Sequence, residues 1–197
     1  MLNQLKYFIL SNAILSLCAV PAVANCVSIG DAPFFLAEGG LPVPLEPAFE
    51  DYSYMLYDTC DAIGLEDCSY LTLMGEIGFN AVATLCPPDW GAIIYDRRLS
   101  GIVGSEGAET IIAHELGHLQ CGHLKTIDET AEQAQAEELE ADAFAGAAMR
   151  MRGFQRDALR AVLPVLSEQP SLSHPAREQR LLALQKGYDD PEGNLCR

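Results

Sequence analysis

From residue 47 onward the apolar and polar positions change period along the chain, and each change marks an element. Between Pro47 and about Ile63, the spacing of Phe49, Tyr52, Tyr54, Met55 and Leu56 suits a helix that Gly64 stops. Two short apolar runs, 79–85 and 92–95, flank the turn residues Cys86-Pro87-Pro88-Asp89 and predict a hairpin or two neighbouring strands. Gly101 and Gly104 precede Ser105, a good N-cap, so a helix is expected from about Glu106 to Leu124. A second helix, Ala-rich and acidic on one side, is expected over 128–151, where Gly153 breaks it. A third over 155–166 is punctuated by Pro164 and Pro170, and a last one follows Pro175 to about Gly187. Residues 25–46, with Gly30, Pro33, Gly39, Gly40, Pro42 and Pro44, read as an extended leader. No repeat with a period of 20–50 residues occurs. The implied fold class is α+β, mainly helical, with a small β-sheet or hairpin beside the helix that starts near Ser105. Residues 47–197 form a single domain.

The first 24 residues obey another rule. Lys6 is the only charge before Asp31, and Tyr7 to Ala24 is a mostly apolar run interrupted by Ser11, Asn12 and Ser16. It ends in Ala22-Val23-Ala24, small residues at the spacing signal peptidase reads, so residues 1–24 are expected to be a signal peptide. The competing reading is an uncleaved anchor, but eighteen residues with three polar interruptions sit at the lower edge of what spans a bilayer. Cys26 invites comparison with a lipid-modified cysteine, for which Asn25 is a poor preceding residue. No later stretch is long and apolar enough to span a membrane. The expected location is therefore periplasmic or secreted.

Composition adds two constraints. The 197 residues carry 12 Lys+Arg against 28 Asp+Glu, a net charge of −16, and cleavage after Ala24 would make it −17 by removing Lys6. Such a balance speaks against nucleic acid as a partner, because phosphate binding needs a basic face. Cleavage would also remove Cys18 and leave Cys26, Cys60, Cys68, Cys86, Cys121 and Cys196. Six cysteines in an oxidising compartment suggest up to three disulfides, in any of about 15 pairings. No CxxC pair points to a thiolate metal site instead.

The candidate chemistry lies on the helix after Ser105. His114-Glu115-Leu116-Gly117-His118 places two histidines four apart, one turn above the other on one face. Their ring nitrogens can converge on one ion, while Glu115 is placed to take a proton from bound water. The plain alternative is a surface helix with two unrelated histidines. A catalytic zinc needs a third protein ligand. The metzincin spacing fails, since its glycine and histidine positions hold Cys121 and Leu124 while His123 falls five after His118. Twenty residues downstream, Glu137-Glu138-Leu139-Glu140-Ala141-Asp142 puts Glu138 and Asp142 on a shared helix face. One carboxylate can bind the ion and the other can accept a hydrogen bond from a ligand imidazole. Most acidic runs of this kind are solvated helix faces.

With these residues in place, the chain resembles the gluzincin zinc metallopeptidases that include HtpX, BepA and the CAAX prenyl endopeptidases. The match rests on His114-Glu115-Leu116-Gly117-His118 with Glu138-Leu139-Glu140-Ala141-Asp142. Asn80-Ala81-Val82-Ala83, His123, and His174-Pro175 with Arg180-Leu181 add to it, over about residues 47–187. The resemblance implies a minimal zincin-type core with one Zn2+ held by His114, His118 and Glu138. Glu115 would be the general base, and Asp142 would support a ligand from behind. The histidine of the C-terminal signature, His174, can reach the metal in some relatives and silence them, so it is either a regulatory fourth ligand or a packed helix-start residue. The mature chain is expected to be the minimal catalytic core, without the membrane helices and tetratricopeptide extension of larger relatives, and its six cysteines exceed what the resemblance implies. Cys121, three residues past His118, is better read as anchoring the active helix through a disulfide than as a ligand.

The expected function is thus a zinc-dependent endopeptidase acting on exported or misfolded proteins or peptides through a zinc-bound water and Glu115. The segment near 80–85 would receive an extended substrate by strand addition. Tyr95, His123 and His174 are the candidate oxyanion donors. The competing expectation is a zinc-containing, proteolytically silent, chaperone-like or binding module whose metal is capped by His174.

Overall fold

A computed structural model describes residues 25–27, 35–37, 43–125 and 130–196; the expected signal peptide, residues 1–24, lies outside them. Three short strands come first: β1 (Asn25–Val27), β2 (Phe35–Ala37) and β3 (Val43–Pro44), paired antiparallel in that order. The leader expected over 25–46 is therefore extended, as its Gly and Pro content suggests, but its described parts are paired strands. Burial explains the difference. Leu36 and Leu45 pack with Leu73, Cys86, Ala92 and Ile94 in a small core of their own, and apolar area removed from water fastens an otherwise featureless segment.

A second sheet follows. Its strands are β4 (Glu46–Pro47), β5 (Leu71–Met74), β6 (Ala81–Cys86) and β7 (Trp90–Tyr95), in the order β4-β5-β7-β6. The expected hairpin is β6–β7, antiparallel with Ala83 opposite Ile93. Strand β5 pairs parallel with β7 and is too short to show a period of its own. Residues 92–95 are buried because β7 is covered on both faces, which is why they read as an unbroken apolar run. Helix α1 (Glu50–Ala62) turns Tyr52, Leu56 and Cys60 inward at a spacing of four, and Tyr52 stacks on Tyr95 with ring centroids 3.6 Å apart.

Helix α2 (Ser100–Cys121) begins earlier than expected. A short helical turn comes first, Gly104 breaks it at φ 69°, and regular helix runs on to Gly122, which caps the end at φ 80°. Both angles are left-handed and suit glycine. Helix α3 (Ala131–Met151) starts at a capping box in which Thr130 accepts from the Gln133 N–H and the Gln133 side chain accepts from the Thr130 N–H. The helix expected over 155–166 is a 3-10 run, Arg156–Val165, that buries Ala158, Leu159 and Val162. Helix α4 (Arg177–Asp189) completes the main core.

Small residues bring the helices close. A Cβ on Gly117 of α2 would crowd Ala141 and Phe144 of α3; one on Gly146 of α3 would overlap the Leu184 carbonyl, and one on Gly187 of α4 the Ala143 carbonyl. Backbones in such contact pack α3 against both α2 and α4, the helices that carry most of the site's side chains. Two disulfides brace the main core, Cys60–Cys68 and Cys121–Cys196, and Cys86 is also disulfide-bonded. Among the described residues no helix is long and apolar enough to cross a membrane.

Candidate metal centre

Helix α2 supplies the two histidines. Their spacing of four projects both rings toward α3, with His114 Nε2 and His118 Nε2 3.1 Å apart. Glu138 on α3 closes the triangle, Oε2 lying 3.4 Å from His114 Nε2 and Oε1 3.4 Å from His118 Nε2. A tetrahedral ion with nitrogen or oxygen bonds of about 2.0–2.1 Å keeps its ligand atoms roughly 3.3 Å from one another. The three donors have that spacing before any ion is considered. Glu138 Oε2 is moreover buried without a hydrogen bond among the described residues, held only by ion-pair distances of 3.4 Å to His114 Nε2 and Arg180 Nη2, so it keeps a lone pair for a cation. The donor set therefore fits a divalent metal.

Behind the triangle the contacts are equally directed. Asp142, one turn beyond Glu138, places Oδ1 3.0 Å from His114 Nδ1, on the ring edge away from His118. Arg180 of α4 holds Asp142 with two bonds, Nε to Oδ2 at 2.8 Å and Nη2 to Oδ1 at 2.9 Å, and its Nη2 also lies 3.4 Å from Glu138 Oε2. Burial works against a charge on His114, but Asp142 and Glu138 outweigh it and hold the imidazole up at about 10. Burial likewise opposes ionised Glu138 and Asp142, yet hydrogen bonds and charge from the facing imidazoles, joined by Arg180 at Asp142, keep both carboxyls well below the usual range. The facing carboxylates thus favour positive charge at His114.

Glu115 sits beside this group, 7% exposed, with Oε2 accepting the Ala83 N–H at 2.6 Å. Asp96 N–H donates to the Asn80 carbonyl, so even-numbered β6 residues face β7 and Ala81, Ala83 and Leu85 turn their main-chain groups to the other edge. On that edge β6 has no ladder partner among the described residues, although β1 lies near it.

The remaining candidates are placed as follows. His174 is half-exposed, its Nδ1 2.8 Å from Ser173 Oγ and its Nε2 3.6 Å from Glu138 Oε1. His123 faces the back of His118, Nδ1 to Nδ1 at 3.0 Å, rather than the triangle. Tyr95 is fully buried against Tyr52. Cys121, His123 and Glu140 also approach one another, but the Cys121 sulfur is committed to Cys196 and offers no thiolate.

Arg180, Ala83 and His123 all fall in the motifs that carry the resemblance, but nothing in the sequence pairs them with the groups they meet. Arg180 meets Asp142 across 38 residues, the Ala83 N–H meets Glu115 across 32, and His123 meets Glu140 across 17. No family model, curated protein or solved structure matches this chain, so the reading of the site rests on its own residues.

Proposed function

We propose that this protein is a zinc-dependent endopeptidase of the gluzincin type, exported to an oxidising compartment, the periplasm or outside the cell. The observation that carries the reading is the His114–His118–Glu138 triangle, with the Glu115 carboxylate tethered beside it by an edge-strand amide. A zinc ion held by those three side chains would supply Lewis acidity, lowering the pKa of a bound water and polarising a carbonyl. Glu115 keeps one oxygen on Ala83 and uses the other to take a proton from the attacking water and pass it to the leaving amine. An extended peptide adds to the edge of β6, where Ala81 and Leu85 offer main-chain groups that Glu115 does not use. His174, half-exposed with Nε2 3.6 Å from Glu138 Oε1, is the candidate for steadying charge on the carbonyl oxygen. The disulfides support the assigned compartment.

Metal analysis and cleavage of an unfolded fluorogenic protein test the reading together. The wild type should carry one equivalent of zinc and cleave, while Glu115→Gln keeps its zinc and loses at least about 100-fold in rate. A Glu115→Gln protein as active as the wild type would sink the mechanism. The approach of His174 Nε2 to Glu138 favours one second reading, a zinc-containing binding module whose metal His174 caps. On that reading the same assay shows no cleavage by the wild type or by His174→Ala.

A further inference from the structure

His118 is held differently from His114, and the difference points to two residues outside the metal triangle. A ring nitrogen that binds a cation carries no proton, so with Nε2 turned to His114 and Glu138 the proton of His118 resides on Nδ1. That atom is 3.0 Å from His123 Nδ1, so His118 donates and His123 accepts. A His123 that accepts at Nδ1 carries its own proton on Nε2, which lies 3.2 Å from Glu140 Oε2. A single assignment of protons satisfies the whole chain, from the Glu140 carboxylate through His123 to His118. We infer that His123 and Glu140 are positioning residues, a hydrogen-bonded relay that fixes the tautomer and ring orientation of His118 and so sets the affinity of the metal site.

The fold builds the relay deliberately. Gly122, at φ 80°, turns the chain back at the end of α2, and the following 3-10 turn, His123–Lys125, seats His123 behind His118 with only 8% of its surface exposed. The Cys121–Cys196 disulfide ties down the residue before that turn, and Cys196 Sγ lies 3.7 Å from Glu140 Oε1. Helix α3 thus backs both ligand histidines with a carboxylate, His114 directly through Asp142 and His118 at one remove through His123. Partners of this kind raise ligand basicity and hold the ring, and losing one costs roughly 10–100-fold in metal affinity.

The inference rests on the metal site proposed above, and the test separates the two. Zinc affinity is measured on the full chain by competition with a chromophoric chelator, for wild type, Glu138→Ala, His123→Ala, His123→Asn and Glu140→Gln. The expected results are one tight site in the wild type, none in Glu138→Ala, and a 10–100-fold weaker site in His123→Ala. His123→Asn, whose amide oxygen can replace the Nδ1 acceptor, should recover most of that loss, which a purely packing role for the ring would not give. Glu140→Gln should weaken binding several-fold while the apo protein melts where the wild type does, since its side chain is 57% exposed. If His123→Ala does not fold, Glu140→Gln decides alone. Wild-type affinity, within twofold, in the His123 and Glu140 variants would overturn the relay and leave the site standing; no zinc on the wild type would overturn both.

Discussion

Asp96, just past the end of β7, is fully buried and spends both oxygens. Oδ1 accepts the Arg98 N–H and Nε, and Oδ2 accepts Arg98 Nη2 and the Phe79 N–H. Phe79 has φ 61°, a strained angle for a bulky residue, so the carboxylate pins the turn that leads into β6 and the edge where Glu115 is anchored. The Arg98 guanidinium first, and the two backbone amides with it, hold the Asp96 carboxyl well below its ordinary value of about 3.9. A depressed folded pKa contributes stability that is complete above that ordinary value and is lost as pH falls toward the folded one. Asp96→Asn should therefore cost about 2 kcal/mol at pH 7, and the gap to wild type should narrow steadily below about pH 4. Urea unfolding at pH 7 and pH 3 checks this; an equal gap at both would remove the charge from the explanation. Asp96 also marks a limit of reading by residue. His114, Glu115 and His118 are legible because one helical turn relates them, and Glu138 with Asp142 for the same reason, whereas Arg180, His123 and Asp96 gain their roles from partners that only tertiary packing supplies.

Among the elements, the contact that governs the site is the one between α3 and α4. Gly146 and Gly187 let the two backbones touch, and Arg180, two turns before Gly187, then reaches Asp142. Adding a methyl group at Gly146 drives a Cβ into the Leu184 carbonyl, which is backbone and cannot swing aside. Gly146→Ala should cost about 3 kcal/mol by overpacking, roughly a 10 °C fall in Tm for a chain of this size. Gly101→Ala is the control, since a Cβ there meets nothing within 4 Å and should leave Tm unchanged or slightly raised. Equal melting of the two variants would mean that the helices part easily and that α4 does not hold Arg180 in place. The helices themselves were readable within a few residues from periodicity and caps. The 3-10 form of 156–165, strand β5 and the pairing of 35–37 and 43–47 were not, because short segments take their conformation from what they pack against.

For the molecule as a whole, the two fully described disulfides brace very different lengths of chain. Cys60–Cys68 closes a loop of 8 residues beside α1, whereas Cys121–Cys196 joins the end of α2 to the C-terminal turn across 75 and encloses α3 and α4. Restricting the unfolded chain is worth more for the longer loop, about 4 kcal/mol against roughly 2.5. The larger loop also holds the third corner of the candidate metal triangle, Glu138, and the residues that back it, Glu140, Asp142, His174 and Arg180, all between its cysteines. Stability and metal affinity should therefore fall together when that bridge is removed, and apart when the other is. A Cys121→Ser/Cys196→Ser protein should melt roughly 10 °C below wild type and bind zinc more weakly, because the turn carrying His123 and the helices carrying Glu138 and Arg180 lose a shared anchor. A Cys60→Ser/Cys68→Ser protein should lose about half as much in Tm and keep wild-type zinc affinity, since neither cysteine adjoins the site. Calorimetry with chelator competition on both variants checks the pair of outcomes. If the short bridge mattered more to zinc than the long one, the link drawn from the C-terminal clamp to the metal triangle would be wrong.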